Sequence, residues 1–348
     1  MKIGILTNLT GDFITFARKY AEILEYNKIP FELLNIHDDA LLEKLSNLDF
    51  LIHVFSQNHT EKKWGKNIIY LAENLMGLSC FPNYSEIWHY DEKLIQTLLF
   101  ESKGIPIVPT KLFFDKKNAD SWLKTASYPL VFKLLSGAGS GAVALVKSYK
   151  NALKITNRIF TKGIPQSGVP GSNTNQSILK RIQKKIHIWL ATNYRKFHGR
   201  EINLIHENQV GYAIFQDFLP NNDFDTRVNI IGERAFAFRR WNRENDFRAS
   251  GSGKIDYNKN EVNKECIKLA FKVSELFGFR NMAFDFLFDS SGKPMLVEIT
   301  YIYKDYAVFD CPGYWDKQFN WHSGNYWPQY FHLYDLLNYT DLKMPVTN

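Results

Sequence analysis

The sequence predicts an α/β protein in which an open, helix-covered parallel sheet precedes a larger strand-rich region. Three observations predict it. Residues 1 to about 100 alternate short apolar runs with apolar positions at helical spacing; a glycine-rich turn joins two apolar strands near residue 140; and from Tyr212 onward strand-like runs dominate, with a helix between them. Alternating strand and helix is the pattern of parallel βαβ units, whereas successive strands build antiparallel sheets.

In chain order, residues 3–7, 31–36 and 50–54 read as strands, and 13–26 and 63–76 as helices. A helix over 90–103 is ended by Gly104, with Pro106 and Pro109 beyond it, because glycine accepts the left-handed end of a helix and proline cannot continue one. Strands follow at 111–114, 130–135 and 142–147, then a helix over 150–160. Residues 161–176 are rich in Gly, Pro, Ser and Asn and predict a loop. A basic helical stretch comes next. Strands at 212–219, 226–231 and 234–239, a helix over 264–277, and a hairpin of 282–288 and 294–300 complete the ordered pattern. The expected domains are 1–90, 91–215 with a basic insertion at 161–205, and 216–348.

The 348 residues exceed one typical domain. With 45% hydrophobic and 15% aromatic residues, disorder over most of the chain is excluded. A formal net charge of +7 points to an anionic partner, and much of the excess lies between Lys180 and Arg200. No RNP-type motif or zinc knuckle accompanies it, so nucleic acid is not the expected partner. Cys80, Cys266 and Cys311 are too scattered for a disulfide framework or a thiolate metal site. No window reaches the ~18 apolar residues of a membrane span, and the N-terminus reads as a strand rather than a secretory signal. A cytoplasmic protein is expected.

Four segments carry chemistry. In Leu130-Val131-Phe132-Lys133-Leu134-Leu135-Ser136-Gly137-Ala138-Gly139-Ser140-Gly141, an ammonium at a strand end precedes residues whose backbone can closely approach a polyphosphate. A glycine-turned hairpin is the alternative. In Gln216-Asp217-Phe218-Leu219-Pro220-Asn221-Asn222-Asp223, a strand runs into amide and acidic groups that can read an adenine edge and a ribose, or simply form a polar turn. Arg227, Arg239, Arg240 and Arg248 offer planar forks for phosphoryl oxygens or for surface ion pairs; Arg240 and Arg248 are favoured for the former. Finally, Asp285 and Glu298 sit mid-strand among large apolar residues on the two arms of a hairpin. Facing acids repel unless a divalent cation lies between them or each pairs with Arg or Lys, and oxygen-only ligands point to Mg²⁺.

Taken in order, these segments resemble the ATP-grasp superfamily, most closely its RimK-like carboxylate–amine ligases. Tyr90-Asp91-Glu92-Lys93-Leu94 through Gly104-Ile105-Pro106-Ile107-Val108-Pro109-Thr110 is similar to the family's Asp-Lys helix and its Gly-Ile-x-x-Pro-x-Thr connection. Pro129–Leu134 with the glycine loop resembles its phosphate-covering hairpin, Gln216-Asp217-Phe218-Leu219 its adenine hinge, and Asp225-Thr226-Arg227-Val228 its following strand. Asp246-Phe247-Arg248 and the Asp285…Glu298 hairpin complete a similarity over roughly 85–303. The resemblance implies an N-terminal open α/β domain followed by a two-lobed ATP-grasp fold, using ATP and Mg²⁺, with Mn²⁺ as a substitute. Lys93 and Lys133 would hold phosphates under the loop of Ser136, Gly137, Gly139, Ser140 and Gly141. Gln216, Asp217 and Phe218 would meet adenine, and Asp223 the ribose. Asp285, Glu298 and Thr300 would bind metal, and Arg240 and Arg248 would steady an acyl phosphate and its tetrahedral successor.

The sequence departs from that pattern where Thr300 replaces the family's usual Asn, and where Tyr301-Ile302-Tyr303-Lys304 replaces its Ser/Asn-Pro-Gly. The implied reaction joins a carboxylate to an amine with release of ADP; a phosphotransferase and a non-catalytic nucleotide-binding module are the alternatives. Residues 178–197 form an amphipathic basic segment that suits a peripheral membrane contact, an acidic substrate or a solvated helix face. The tail bearing Trp315, Trp321 and Trp327 suits stacking on sugar rings or a hydrophobic plug. It also resembles tails of ATP-grasp proteins associated with surface-polysaccharide biosynthesis, which implies glycan substrates.

Overall fold

The computed structural model describes residues 1–8, 11–55, 59–137, 142–165, 168–169, 186, 189 and 208–345. It divides into two compact units. The larger comprises 1–57, 61–110 and 219–348; the smaller comprises 58–60 and 111–218.

In the larger unit, strands Phe31–Asn35, Ile3–Thr7, Phe50–His53 and Ser79–Phe81 lie in that order in one parallel sheet. Ile3, Ile5 and Ile52 pack on one side against Ala17, Tyr20, Ile23 and Leu24 of helix Gly11–Tyr26 and against Leu333 of helix Pro328–Leu337. Buried polar groups lock the two chain ends together: Tyr20 Oη lies 2.7 Å from His332 Nδ1. Burial pushes the His332 imidazole down to about 3, so the ring is neutral.

The unit's second sheet is mostly an antiparallel meander. Strands Pro294–Thr300, Asn281–Phe288, Phe224–Ile231, Arg234–Trp241, Gly313–Asp316 and Trp321–Ser323 are neighbours in that order, with Ile255–Asp256 on a side branch. Its apolar face, with Val228, Ile230, Ala237, Phe284 and Phe286, buries helix Lys264–Phe277 through Ile267, Ala270 and Val273. Asn263 caps that helix, and Gly278 at φ 69° ends it in the left-handed region that glycine tolerates. The expected helix over 90–103 is shorter, Lys93–Glu101, because Asp91 takes φ 54° and interrupts helical propagation.

Glu86 joins the two sheets' surroundings. Its buried carboxylate completes a capping box with Asn83 and accepts the backbone N–H groups of Arg280 (2.5 Å) and Asn281 (3.0 Å). Replacing Glu86 by Ala orphans these donors, and chemical denaturation should show a loss of about 3 kcal/mol.

In the smaller unit, strands Thr110–Phe113, Ala213–Asp217, Leu130–Lys133 and Val143–Val146 form a sheet in that order. Helices Lys116–Leu123 and Tyr149–Ile159 start at the side-chain caps Asp115 and Ser148. Phe215 contacts Trp122 and Phe132, with ring centroids 6.1 and 5.5 Å away, so the helices cover the Phe132/Phe215 face. Most of 161–205, including the basic stretch 178–197, lies outside the described residues, apart from Ile186 and Trp189, both exposed.

The tail beyond 304 packs into the larger unit. Trp315 is buried edge-on to Trp321 at 4.5 Å, and Trp327 stacks on Phe309 at 4.2 Å. Among the described residues no helix is long and apolar enough to cross a membrane.

Candidate active site

Register alone gathers the polar face of the larger unit's meander. Asp225 pairs with Arg240, Arg227 with Asp285, and Asp285 with Glu298 across successive strands. Side chains alternate with period two, so Asp225, Arg227, Arg240, Asp285, Glu298 and Thr300 share the face opposite the helix-covered core. A register shift follows Asp285, and it keeps Glu298 directly opposite that residue.

The acids and guanidinium groups on this face interlock. Arg227 donates to both Asp285 oxygens (Nε to Oδ1 2.7 Å, Nη2 to Oδ2 2.8 Å), and Arg240 does the same to Asp225 (2.7 and 2.6 Å). Arg240 Nη2 also lies 2.8 Å from Asp285 Oδ2, so it bridges the two acids. Burial disfavours the Asp285 charge, but the Arg227 and Arg240 guanidiniums outweigh it and hold the carboxyl well below the usual range. A depressed carboxylate stabilises the fold above its ordinary pKa of 3.8 and loses that contribution as pH falls below it. An Asp285→Asn variant should therefore lose less stability than the parent between pH 5 and 2, as acid titration of the unfolding midpoint would show.

Glu298 faces a second network. Lys93 Nζ lies 3.4 Å from Glu298 Oε1 and 3.7 Å from Asp91 Oδ1, and Lys62 Nζ lies 3.2 Å from both Asp91 Oδ2 and Glu92 Oε1. Burial pulls the Lys93 ammonium down, yet Glu298 and Asp91 together raise it, so Lys93 is a fixed cation. Gln96, one turn along the same helix, donates to Ile299 O at 2.9 Å and accepts from Ile299 N at 3.3 Å. That amide clamp sets Lys93 beside the strand carrying Glu298.

Other sequence-derived candidates lie elsewhere or are engaged locally. Arg248 folds back on Asp246, with Nε to Oδ1 at 2.8 Å and Nη2 to Oδ2 at 2.5 Å. The Thr300 hydroxyl donates to Ile302 O at 2.9 Å and accepts from Ile302 N at 3.3 Å, a local turn that occupies it. Asp223 and Asp217 are exposed. Asp225, Arg227 and Asp91 stand in motifs that the sequence reading quotes, without a site role of their own, and Gln96 is not singled out there. The Asp-x-Arg spacing at 225–227, a two-residue alternation on a strand, was the available signal for the first pair.

The smaller unit presents its own polar face. Lys133 pairs with Ile214 and Gln216 with Val131, so the buried Lys133 and Gln216 side chains sit two residues apart on the face away from the helices. Phe218 follows just beyond the strand. Gln209 braces the start of the glycine loop: its Nε2 donates to Ser136 O at 2.9 Å, and Tyr212 Oη accepts Leu135 N at 2.8 Å while donating to Gln209 Oε1. Gly137 is described, at φ 131°; Gly139, Ser140 and Gly141 lie outside the described residues.

The donor chemistry fits a hard divalent ion, since two carboxylates face each other across the hairpin and, among the described residues, no His or Cys joins them. The fit is conditional on charge, because Arg227, Arg240 and Lys93 already neutralise Asp285 and Glu298. Among the described residues no group of three acidic, His or Cys side chains converges as a metal cage. Mg²⁺ without nucleotide should therefore bind only weakly, and calorimetry should detect at least about tenfold tighter binding once a nonhydrolysable triphosphate supplies negative charge.

No protein-family profile and no curated protein matches this sequence. Solved structures do match its fold. A RimK domain ATP-grasp protein from Sphaerobacter thermophilus aligns over 86% of this chain and 90% of its own, at 13% identity and TM-score 0.52. D-alanine–D-alanine ligase from Bacillus anthracis aligns over 87% of each chain, at 14% identity and TM-score 0.55. The ATP-grasp ligase PsnB, solved with minimal precursor, Mg and ADP, aligns over 87% of this chain and 90% of its own, at 11% identity and TM-score 0.51. The chain therefore has the mixed α/β architecture of the ATP-grasp fold.

Proposed function

We propose that this protein is an ATP- and Mg²⁺-dependent ligase that activates a carboxylate as an acyl phosphate and couples it to an amine, releasing ADP and phosphate. The observation that carries the reading is the single sheet face on which Asp285, Glu298, Arg227 and Arg240 meet, with Lys93 against Glu298. It is supported by a fold shared with proteins named as ligases.

In this reading Asp285 and Glu298 hold Mg²⁺, which would offset charge on the phosphate oxygens during transfer. Lys93 and Lys133 neutralise phosphates, and the glycine loop from Ser136 onward covers them. Gln216 and Phe218 receive the adenine. Arg240 and Arg227 place fixed positive charge where the acyl phosphate and then the tetrahedral species develop oxyanions, so positioning and preorganised electrostatics supply most of the rate. Water exclusion protects the acyl phosphate from hydrolysis.

The narrower reading, a sugar acid or aminosugar of a surface polysaccharide as substrate, rests on the resemblance of the tail. Trp315 is buried in the core beside Trp321, whereas Trp327 is partly buried against Phe309.

Paired carboxylates and amines should be screened for ADP release, with mass spectrometry for the amide. Release that requires both substrates supports the ligase. Release with a carboxylate or alcohol alone, leaving a stable phosphorylated product, would establish a phosphotransferase instead.

A further inference from the structure

The two units differ sharply in charge. The smaller holds seventeen Lys and Arg against five Asp and Glu, and the rest of the chain twenty-six against thirty-one. Within the smaller unit's described residues, much of the surplus lies on its two helices. These pack together, with Thr156 Oγ1 donating to Asp120 Oδ1 at 3.1 Å, and they cover the sheet face opposite Lys133 and Gln216.

Helix Tyr149–Ile159 buries Ala152, Ile155, Thr156 and Ile159, so Lys150, Lys154 and Arg158 line its exposed side one turn apart. Lys147 precedes it, and Lys117 and Lys124 are exposed on and just beyond helix Lys116–Leu123. Among the described residues none of these six has a carboxylate partner; the ion pair on this face is Lys116–Asp120 at 2.5 Å. Like charges at helical spacing repel one another, so an unpaired row is tolerated at a cost that a polyanionic partner removes.

We propose that this two-helix face docks the protein on an anionic lipid surface. The cations are five lysines and one arginine, compact hydrated charges rather than the planar forks that read nucleic-acid phosphates and bases. They are spread over a helical face, which suits a diffuse layer of headgroup charge. Phe114, 67% exposed, stands directly before the first helix's cap and supplies an aromatic side chain for the interface. Docking this way leaves the Lys133/Gln216 side of the sheet turned from the lipid, so it does not compete with the proposed nucleotide site.

The test is flotation of the full chain with vesicles of phosphatidylcholine alone or with about one-third phosphatidylserine. The parent should bind the anionic vesicles and not the neutral ones, and release as salt rises. The variant Lys150→Glu, Lys154→Glu, Arg158→Glu should bind at least about 50-fold more weakly. A matched control exists, because Lys264, Lys268 and Lys272 form an equally spaced exposed row on the larger unit's Lys264–Phe277 helix. Reversing that row should leave binding within about twofold, and Phe114→Ala should weaken it several-fold. The proposal is overturned if the parent ignores anionic vesicles at low salt, if the first triple variant binds like the parent, if both triple variants lose binding equally, or if single-stranded RNA binds and vesicles do not.

Discussion

Replacing Glu298 by Gln is expected to lower kcat/KM for amide formation by about a thousandfold while leaving the thermal midpoint within about 2 °C of the parent. The side chain is about one-third exposed, and Lys93 keeps a second acid, Asp91, as partner. The fold therefore tolerates the change, whereas the proposed metal and phosphates lose an anionic ligand. Coupled ADP release and mass spectrometry of the product measure the first quantity, and calorimetric unfolding the second. A non-catalytic nucleotide-binding protein would show no turnover to lose.

The second large effect concerns stability. Arg240→Ala should destabilise the protein by about 3–5 kcal/mol, because it strips Asp225 of its bidentate partner and Asp285 of one of two guanidiniums, leaving two buried acids on adjacent strands. Burial lowers the Arg240 charge's standing, yet Asp285 and Asp225 more than restore it and hold the guanidinium protonated. The double variant Asp225→Asn, Arg240→Ala removes one of the stranded charges and should recover part of the loss. Urea unfolding of the parent, both single variants and the double variant gives the coupling. Additive effects would show that the network is not cooperative.

Much of this site was legible because β-structure has period two. The bounds 264–277 and 294–300 match the structure, and reading 282–288 and 294–300 as a hairpin brings Asp285 near Glu298. Regular pairing would set Val297 opposite Asp285, and the register shift after Asp285, which the sequence pattern does not announce, puts Glu298 there instead. The arginines were harder, since parity over one residue decides their fate. Arg240 falls on the Asp225 face, while Arg239 falls on the other and pairs with Asp256 and Glu261 beside Phe224. Arg248 is held by an acid only two residues away. Helix Pro328–Leu337 gave no sequence signal of its partner, because Tyr20 is 312 residues distant from His332. Helix Lys116–Leu123 is short and polar, with its two buried positions, Ala119 and Leu123, four residues apart. The tail's tryptophans read equally well as platforms or as core, and packing into the larger unit's core decided the matter for Trp315.

The account rests on a divalent ion that Asp285 and Glu298 share with a bound triphosphate. Calorimetric titration with a nonhydrolysable ATP analogue, in Mg²⁺ and in EDTA, tests it most directly when the parent and Glu298→Gln are compared. The account predicts that Mg²⁺ tightens binding to the parent at least about tenfold and that this gain disappears in the variant. Equal affinity with and without Mg²⁺, or an undiminished gain in the variant, would contradict it.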